Sequence, residues 1–158
     1  MRKSLAICLL MLFAVALNGQ SKKKVKKHNI QSSAVTITAG GSTIFESKEV
    51  FDKDGETIEK TTYNSEGKFK TLHKYKYNGD GDEIEELEFD ENNNLKEKKI
   101  SSYNGLGEKT QEIFYEPGGK IKKTKTFSYD KRGLKTEVKE TDSAGNVTSI
   151  KRYTYTYR

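Results

Sequence analysis

One turn pattern recurs eight times between Phe51 and Gly145, and it constrains the fold more than any other feature. A typical copy has an aromatic residue, then Asp or Asn, two unrestricted positions, and Gly. Asp or Asn at the first position of a type I turn hydrogen-bonds the backbone ahead of it. Gly three residues later adopts the left-handed conformation that closes a bulged hairpin. The pattern therefore predicts eight β-hairpin turns in one register.

The eight copies are separated by alternating steps of 12 and 14 residues, so the repeating unit has 26 residues. Asn93 replaces Gly in one copy, and Asn is the residue that best tolerates positive φ after Gly. Glu116 replaces Asp or Asn in another, but Pro117 presets φ at the second turn position. The predicted structural turn residues are Gly55, Gly67, Gly81, Asn93, Gly107, Gly119, Gly133 and Gly145. The aromatic positions are Phe51, Tyr63, Tyr77, Phe89, Tyr103, Tyr115 and Tyr129, followed by Thr141.

The segments between the turns are alternately long and short, and they have strand character. In the long segment 69–77, the side chains of Phe69, Thr71, His73, Tyr75 and Tyr77 share one face, which we interpret as a buried ladder. Lysines on the opposite face are expected to pair with glutamates of the short segments. The predicted fold is all-β: an antiparallel meander of about ten strands, built from 26-residue double-hairpin repeats in a single twisted or spiralling sheet.

Composition alone would place this chain near disordered proteins, because 32% of its 158 residues are hydrophobic and 33% are charged. Stacked hairpins can still share a thin continuous core. The formal charge of +6 is also misleading, because seven of the 29 basic residues lie before position 28. The other 22 basic residues nearly balance 23 acidic ones. The repeat region is therefore nearly neutral.

The chain is predicted to have three parts: residues 1–20, residues 21–31 and residues 32–158. Arg2 and Lys3 precede an apolar run too short to span a bilayer, which predicts a cleaved secretory signal peptide. Residues 21–31 are interpreted as a Lys-rich linker, and we favour a solvated, disordered tail over a polybasic contact to anionic partners. The linker lysines are Lys22, Lys23, Lys24, Lys26 and Lys27. Residues 32–158 form the predicted β-repeat domain.

The sequence offers little chemistry. Cys8 is the only cysteine and lies in the apolar N-terminal run, so no disulfide is expected in the mature chain. The segment 78–82 has alternating oxygen ligands, but an EF-hand would need Gly and Glu where Glu83 and Phe89 stand, so we interpret it as an ordinary turn. His73 has no nucleophile motif beside it and is interpreted as a packed or half-exposed strand residue. We predict no catalytic residue, no metal, no cofactor and no enzymatic activity.

Three aromatic residues occupy equivalent positions in the repeat: Tyr75, Phe127 and Tyr153. If these side chains were exposed, the row could stack on sugar rings. If they were buried, they would simply be core. The low apolar content favours burial, because little else in this sequence could form a core.

The segment Tyr129-Asp130-Lys131-Arg132-Gly133, with Phe127 two residues earlier, resembles the YD repeat of the Rhs family. The resemblance covers roughly residues 43–158. It implies β-hairpin ribbons and a setting in the bacterial envelope. Such ribbons often enclose a toxin domain, but this chain is too short to enclose a cargo, and strand character continues to Arg158. The toxin activity is therefore not implied.

The resulting expectation is a secreted or periplasmic, non-enzymatic structural or binding protein of a bacterial envelope. The alternative is a glycan- or polyanion-binding module that uses the Lys-rich segment or an exposed tyrosine row. Open sheet edges would allow pairing with another protein. Nucleic acid is not an expected partner, and no transmembrane segment is expected in the mature chain.

Overall fold

A computed structural model describes residues 21–158 of the chain. The predicted signal peptide, with Arg2, Lys3 and Cys8, lies outside the described residues.

The described chain forms one open sheet of ten antiparallel strands, as the sequence predicted, and the sheet does not close into a barrel. Each strand is hydrogen-bonded only to its neighbours in sequence. The strands are β1 (Ser32–Ala39), β2 (Ser42–Phe51), β3 (Thr57–Tyr63), β4 (Phe69–Tyr77), β5 (Glu83–Phe89), β6 (Leu95–Tyr103), β7 (Lys109–Tyr115), β8 (Ile121–Tyr129), β9 (Lys135–Asp142) and β10 (Val147–Arg152).

All eight predicted turns adopt one backbone geometry. The seven glycines and Asn93 have positive φ, with Asn93 at 61°. In seven turns the Asp or Asn side chain accepts two backbone hydrogen bonds, as Asn64 does from Glu66 at 2.9 Å and Lys68 at 3.0 Å. The exception is the turn at Glu116, which keeps only the shared backbone bonds. Turn chemistry therefore sets the ends of β2 through β10, while two glycines with positive φ, Gly40 and Gly41, join β1 to β2.

The predicted buried ladder is only partly present. Three apolar side chains are buried in the described chain, namely Val25, Phe51 and Phe114. We call the sheet surface that carries Tyr75, Glu86, Lys99 and Phe114 the ladder face, since these residues are successive cross-strand partners. Polar partners alternate with aromatic ones because a single layer has no second sheet against which a continuous apolar row could pack. Towards the C-terminal end, the positions that repeat Phe69, Tyr75 and Tyr77 are exposed, so the buried ladder expected from the repeat is not continued there. They are Ile121, Val147, Tyr153 and Tyr155.

The opposite face carries the lysines that the sequence placed there. Glu85 pairs with Lys76 at 2.6 Å and with Lys98 at 2.9 Å. Three glutamates of the short strands, Glu86, Glu88 and Glu112, instead lie on the ladder face. The four short strands β3, β5, β7 and β9 are half-buried along nearly their whole length, because long side chains of the neighbouring strands cover both of their faces.

The interpretation of residues 21–31 as a solvated, disordered tail is wrong. Residues Lys22–Lys27 form a short helix, α1, and Val25 on this helix is 1% exposed. The chain continues into the sheet region, where the amide of Phe51 donates to the carbonyl of Gln31 at 3.0 Å. The helix docks although it has one apolar residue among five lysines. It packs against the first turn of the repeat, where the backbone of Lys22 closely approaches Gly55.

Candidate functional site

Helix α1 places two of its lysines against acidic residues of the first turn. Lys26 Nζ lies 2.9 Å from Asp54 Oδ1, and Lys22 pairs with Glu56. The hydrogen bond with Lys26 lowers the pKa of Asp54, and the bond with Glu56 raises the pKa of Lys22. The helix and the turns at 52–55 and 78–81 border a cavity of about 750 Å³ that Tyr75 also lines. The Lys-rich segment is therefore partly neutralised by the sheet itself.

A charged network on the ladder face surrounds His73. Its Nδ1 lies 2.9 Å from Glu86 Oε1, and Lys99 bonds the other oxygen of the same carboxylate. The hydrogen bond from His73 lowers the pKa of Glu86 to about 2, against the opposing effect of burial, and Lys99 contributes in the same direction. Burial first, and then the negative charge of Glu86, raise the pKa of Tyr75. These groups satisfy one another, so His73 is a packed strand residue, as the sequence indicated.

The three equivalent aromatic residues have different surroundings. Tyr75 and Phe127 are half-buried, whereas Tyr153 is 37% exposed. The fourth equivalent position, between the first two in sequence, holds Ser101, which is 4% exposed and has a hydroxyl without a hydrogen-bond partner in the described chain. The row is therefore interrupted, and its two C-terminal members are separated from Tyr75. Burial, the favoured interpretation, fits Tyr75 and Phe127 better than Tyr153.

Phe127 and Tyr153 share a groove of about 440 Å³ across strands β7 to β10. We call it the lysine groove, because four lysines but only two carboxylates line it. Its charged and aromatic lining consists of Lys109, Lys125, Lys135, Lys151, Glu112, Glu140, Phe127 and Tyr153.

Half of the groove's lysines are paired with carboxylates. Lys109 Nζ lies 2.8 Å from Glu112 Oε1, and Lys125 Nζ lies 3.8 Å from Glu140 Oε2. The other two lie over aromatic rings: Lys135 Nζ is 5.1 Å from the ring centroid of Phe127, and Lys151 Nζ is 5.8 Å from that of Tyr153. Within residues 21–158 neither Lys135 nor Lys151 forms an ion pair. This end of the ladder face therefore carries uncompensated positive charge.

Comparison of the repeat units explains where this charge comes from. Lys99 in the first unit contacts two carboxylates, and its equivalent in the third unit, Lys151, contacts none. The positions equivalent to the two acids have changed to a lysine and an apolar residue. The three series, 26 residues apart, are Glu83, Lys109 and Lys135; Glu86, Glu112 and Val138; and Lys99, Lys125 and Lys151.

The candidate binding residues from the sequence therefore lie at two separate places on the sheet. Lys22, Lys26 and Tyr75 border the cavity beside α1, and Phe127 and Tyr153 line the lysine groove. The remaining linker lysines, Lys23, Lys24 and Lys27, are exposed and line neither space. Sequence reasoning missed the four groove lysines. Comparing charges at 26-residue spacing would have found them, because the exchange of Glu for Lys is visible in the printed sequence.

The turn at 78–82 has the same geometry as the other turns. The side-chain oxygen of Asn78 accepts the amides of Asp80 at 3.0 Å and Asp82 at 2.9 Å. Among residues 21–158 no group of three or more potential ligand side chains is arranged to hold a metal ion. In the same part of the chain, no helix has the length and apolar character needed to cross a membrane.

No protein-family model matches this chain, and no curated protein sequence matches it. Among solved structures, it is similar to a protein of unknown function from Bacteroides fragilis, with a TM-score of 0.46 and 12% identity, covering 80% of this chain and 96% of that one. It is also similar to TarM, with a TM-score of 0.32, 14% identity and coverage of 78% and 23%. A GtfA/B complex bound to UDP and GlcNAc gives a TM-score of 0.24, 15% identity and coverage of 75% and 24%. Similarities with TM-scores this low carry no functional information.

Proposed function

We propose that this chain is a secreted or periplasmic, non-enzymatic YD-repeat-like protein of a bacterial envelope, with a structural or binding role. The observation that carries the proposal is the single-layer architecture. Ten strands lie side by side in one open sheet, so both faces and the free edges of β1 and β10 are available for contact. A wide accessible surface suits a role in binding or in building a structure.

The free edge of β1 supports a role in contacts with other molecules. Residues 32–39 contain no charged side chain and no proline, and Val35 and Ile37 are exposed. Edge strands that avoid pairing usually carry charges or proline. An uncharged edge therefore suits the addition of a strand from another chain.

Two measurements test the proposal. Protein made in a secreting host should lose about 16–20 N-terminal residues, as intact mass will show. The mature protein, used as bait, should then retain a defined component of an envelope extract. Retention of Met1 in a membrane fraction would contradict export, and steady turnover of a substrate by the purified protein would contradict a non-enzymatic role.

The alternative is a glycan- or polyanion-binding module. The lysine groove favours it, because this groove combines an exposed tyrosine with lysines that lack carboxylate partners. The Lys-rich segment favours it less, because Lys22 and Lys26 are already paired with Glu56 and Asp54. Binding of a soluble anionic ligand that weakens as salt is added would support this alternative over a purely structural role.

A further inference from the structure

The lysine groove combines two features that suit one class of ligand. One is the pair of lysines, Lys135 and Lys151, that have no ion-pair partner in the described chain. The other is the accessible ring of Tyr153 beside the half-buried ring of Phe127. From this combination we infer that the groove binds an acidic glycan, a chain of sugar rings carrying carboxylates; this inference rests on the binding role proposed above.

The aromatic residues supply the contact for a sugar ring. A pyranose ring presents a face of C–H groups, and this face packs against the flat surface of an aromatic side chain. Tyr153 is 37% exposed, so its ring can be covered by a ligand. Tyr75, three repeat units before Tyr153 in the same series, lies against the His73 ring with centroids 6.2 Å apart and an interplanar angle of 13°. Only the C-terminal member of the series thus combines an exposed ring with unpaired lysines.

The lysines supply the contact for carboxylates. Lys151 on β10 pairs with Val138 on β9, and Lys135 lies three residues before Val138 on the same strand. Three residues of a strand span about 10 Å. The two ammonium groups are therefore anchored at separate points along the groove, where a polymer with repeated carboxylates can reach both.

Charge distribution argues against a nucleic acid as the occupant. A protein that follows a phosphate backbone usually offers a continuous basic path. Here Glu112 and Glu140 lie in the same groove, and each is an ion-pair partner of a neighbouring lysine. The net excess is therefore local, and it suits a ligand with fewer charges per unit length.

Another unit of the repeat suggests a charge-reversal variant. Lys135→Glu with Val138→Glu places in the third unit the two acids that the first unit has at Glu83 and Glu86. In the first unit these acids hold Lys99, with Glu83 Oε1 at 2.9 Å. The double variant is expected to fold, to capture Lys151 in the same way, and to lose binding by at least about tenfold.

The ligand in the experiment is an oligogalacturonate, measured by calorimetry with the mature protein. A neutral glucose oligomer of equal length tests whether the ligand needs carboxylates, and polyglutamate tests whether it needs sugar rings. Oligothymidylate tests whether a nucleic acid binds instead. Oligogalacturonate alone is expected to bind. Equal binding of polyglutamate, or tighter binding of oligothymidylate, would overturn the inference.

Matched variants locate the site. Lys139→Glu reverses one lysine charge on the same strand but on the opposite face, where its partner is Thr126, and it should leave binding within about twofold. Tyr153→Phe should keep binding, and Tyr153→Ala should weaken it several-fold, because the ring rather than the hydroxyl makes the contact. If the double variant binds oligogalacturonate as well as the parent, the groove is not the site. If the parent retains envelope material but no oligogalacturonate, the inference fails and the proposed binding role stands.

Discussion

The hydroxyl of Tyr103 donates a hydrogen bond to the backbone carbonyl of Glu83, 20 residues earlier, at a distance of 2.9 Å. Regular pairing of β5 with β6 ends at Glu85 and Ile100, so this bond satisfies a carbonyl beyond the end of the ladder. Three other tyrosines at 26-residue spacing make the same bond: Tyr77 to Thr57, Tyr129 to Lys109, and Tyr155 to Lys135. The first three of these bonds tie the start of a short strand to the end of the next long strand, and the bond from Tyr155 comes from three residues beyond β10.

Removing this hydroxyl should cost a measurable part of the stability. Tyr103→Phe is expected to lower the free energy of unfolding by about 1 kcal/mol, because a half-buried carbonyl loses its partner. Tyr115→Phe is the control, since Tyr115 has no such bond within residues 21–158. Urea midpoints of both variants measure the difference. Equal shifts would mean that the hydroxyl contributes nothing beyond the ring.

Substitutions in the turn at 104–107 distinguish the cost of a strained backbone conformation from the cost of a steric clash. Gly107 has a φ of 75°, and a Cβ at either Gly105 or Gly107 would meet no atom within 4 Å. Gly107→Ala should therefore destabilise by about 1 kcal/mol through backbone strain alone. Gly105→Ala, which has no positive φ to maintain, should be neutral. Thermal midpoints will show this contrast, and equal midpoints would refute the shared turn geometry.

Helix α1 should be a stabilising part of the domain. Val25→Ala is expected to cost about 1–3 kcal/mol, because the side chain is fully buried. A Cβ at Gly55 would lie 2.7 Å from the carbonyl oxygen of Lys22, in addition to requiring a φ of 82°. Gly55→Ala should therefore cost more than Gly107→Ala.

The excess cost of Gly55→Ala provides a test of the helix contact. In a protein without residues 21–31, this excess should disappear, leaving only the strain common to both turns. Chemical denaturation of Gly55→Ala and Gly107→Ala, each with and without residues 21–31, measures this excess. An excess that persists without the helix would show that Gly55 is required for a different reason.

Glu86 should make stability depend on pH in the acid range. Its pKa of about 2 lies below the ordinary value of 4.5, so its contribution is complete above about pH 4.5 and is lost as the pH falls towards 2. Glu86→Gln should therefore lower stability at pH 7 by on the order of 1–3 kcal/mol, and the gap to the parent should close in that range. Glu66→Gln removes only an exposed pair with Lys68 and serves as the control. A gap that stays constant from pH 7 to pH 2 would contradict this assignment.

The 26-residue unit itself can be tested by deletion. Removing residues 78–103 joins Tyr77 to Asn104, so the chain enters an equivalent turn in the same direction and on the same face. Removing residues 91–103 joins Asp90 to Asn104 and takes away one strand, which reverses every later strand. We expect a shorter folded protein in the first case and an unfolded or aggregated one in the second. Far-UV circular dichroism and elution volume distinguish them, and identical behaviour would exclude the double-strand unit.

The turns were predictable to the residue because their chemistry is local. Asp or Asn and Gly three positions later determine the geometry without reference to the rest of the chain, and even Asn93 adopts the expected φ. The ladder face was less predictable, because cross-strand neighbours decide whether Tyr75 or Tyr153 is covered. The docking of α1 was missed for a similar reason. The docking depends on the close approach of Lys22 to the distant turn at Gly55, which a run of lysines does not suggest.

The strictly sequential pairing of the strands also has a mechanical consequence. β1 and β10 lie at opposite edges, so a force applied between the two ends of the sheet would load one strand pair at a time. Each strand that detaches would release 12 or 14 residues, or roughly 40–50 Å of extended chain. The sheet would therefore lengthen stepwise under tension as strands detach one after another, and each hairpin could re-form independently.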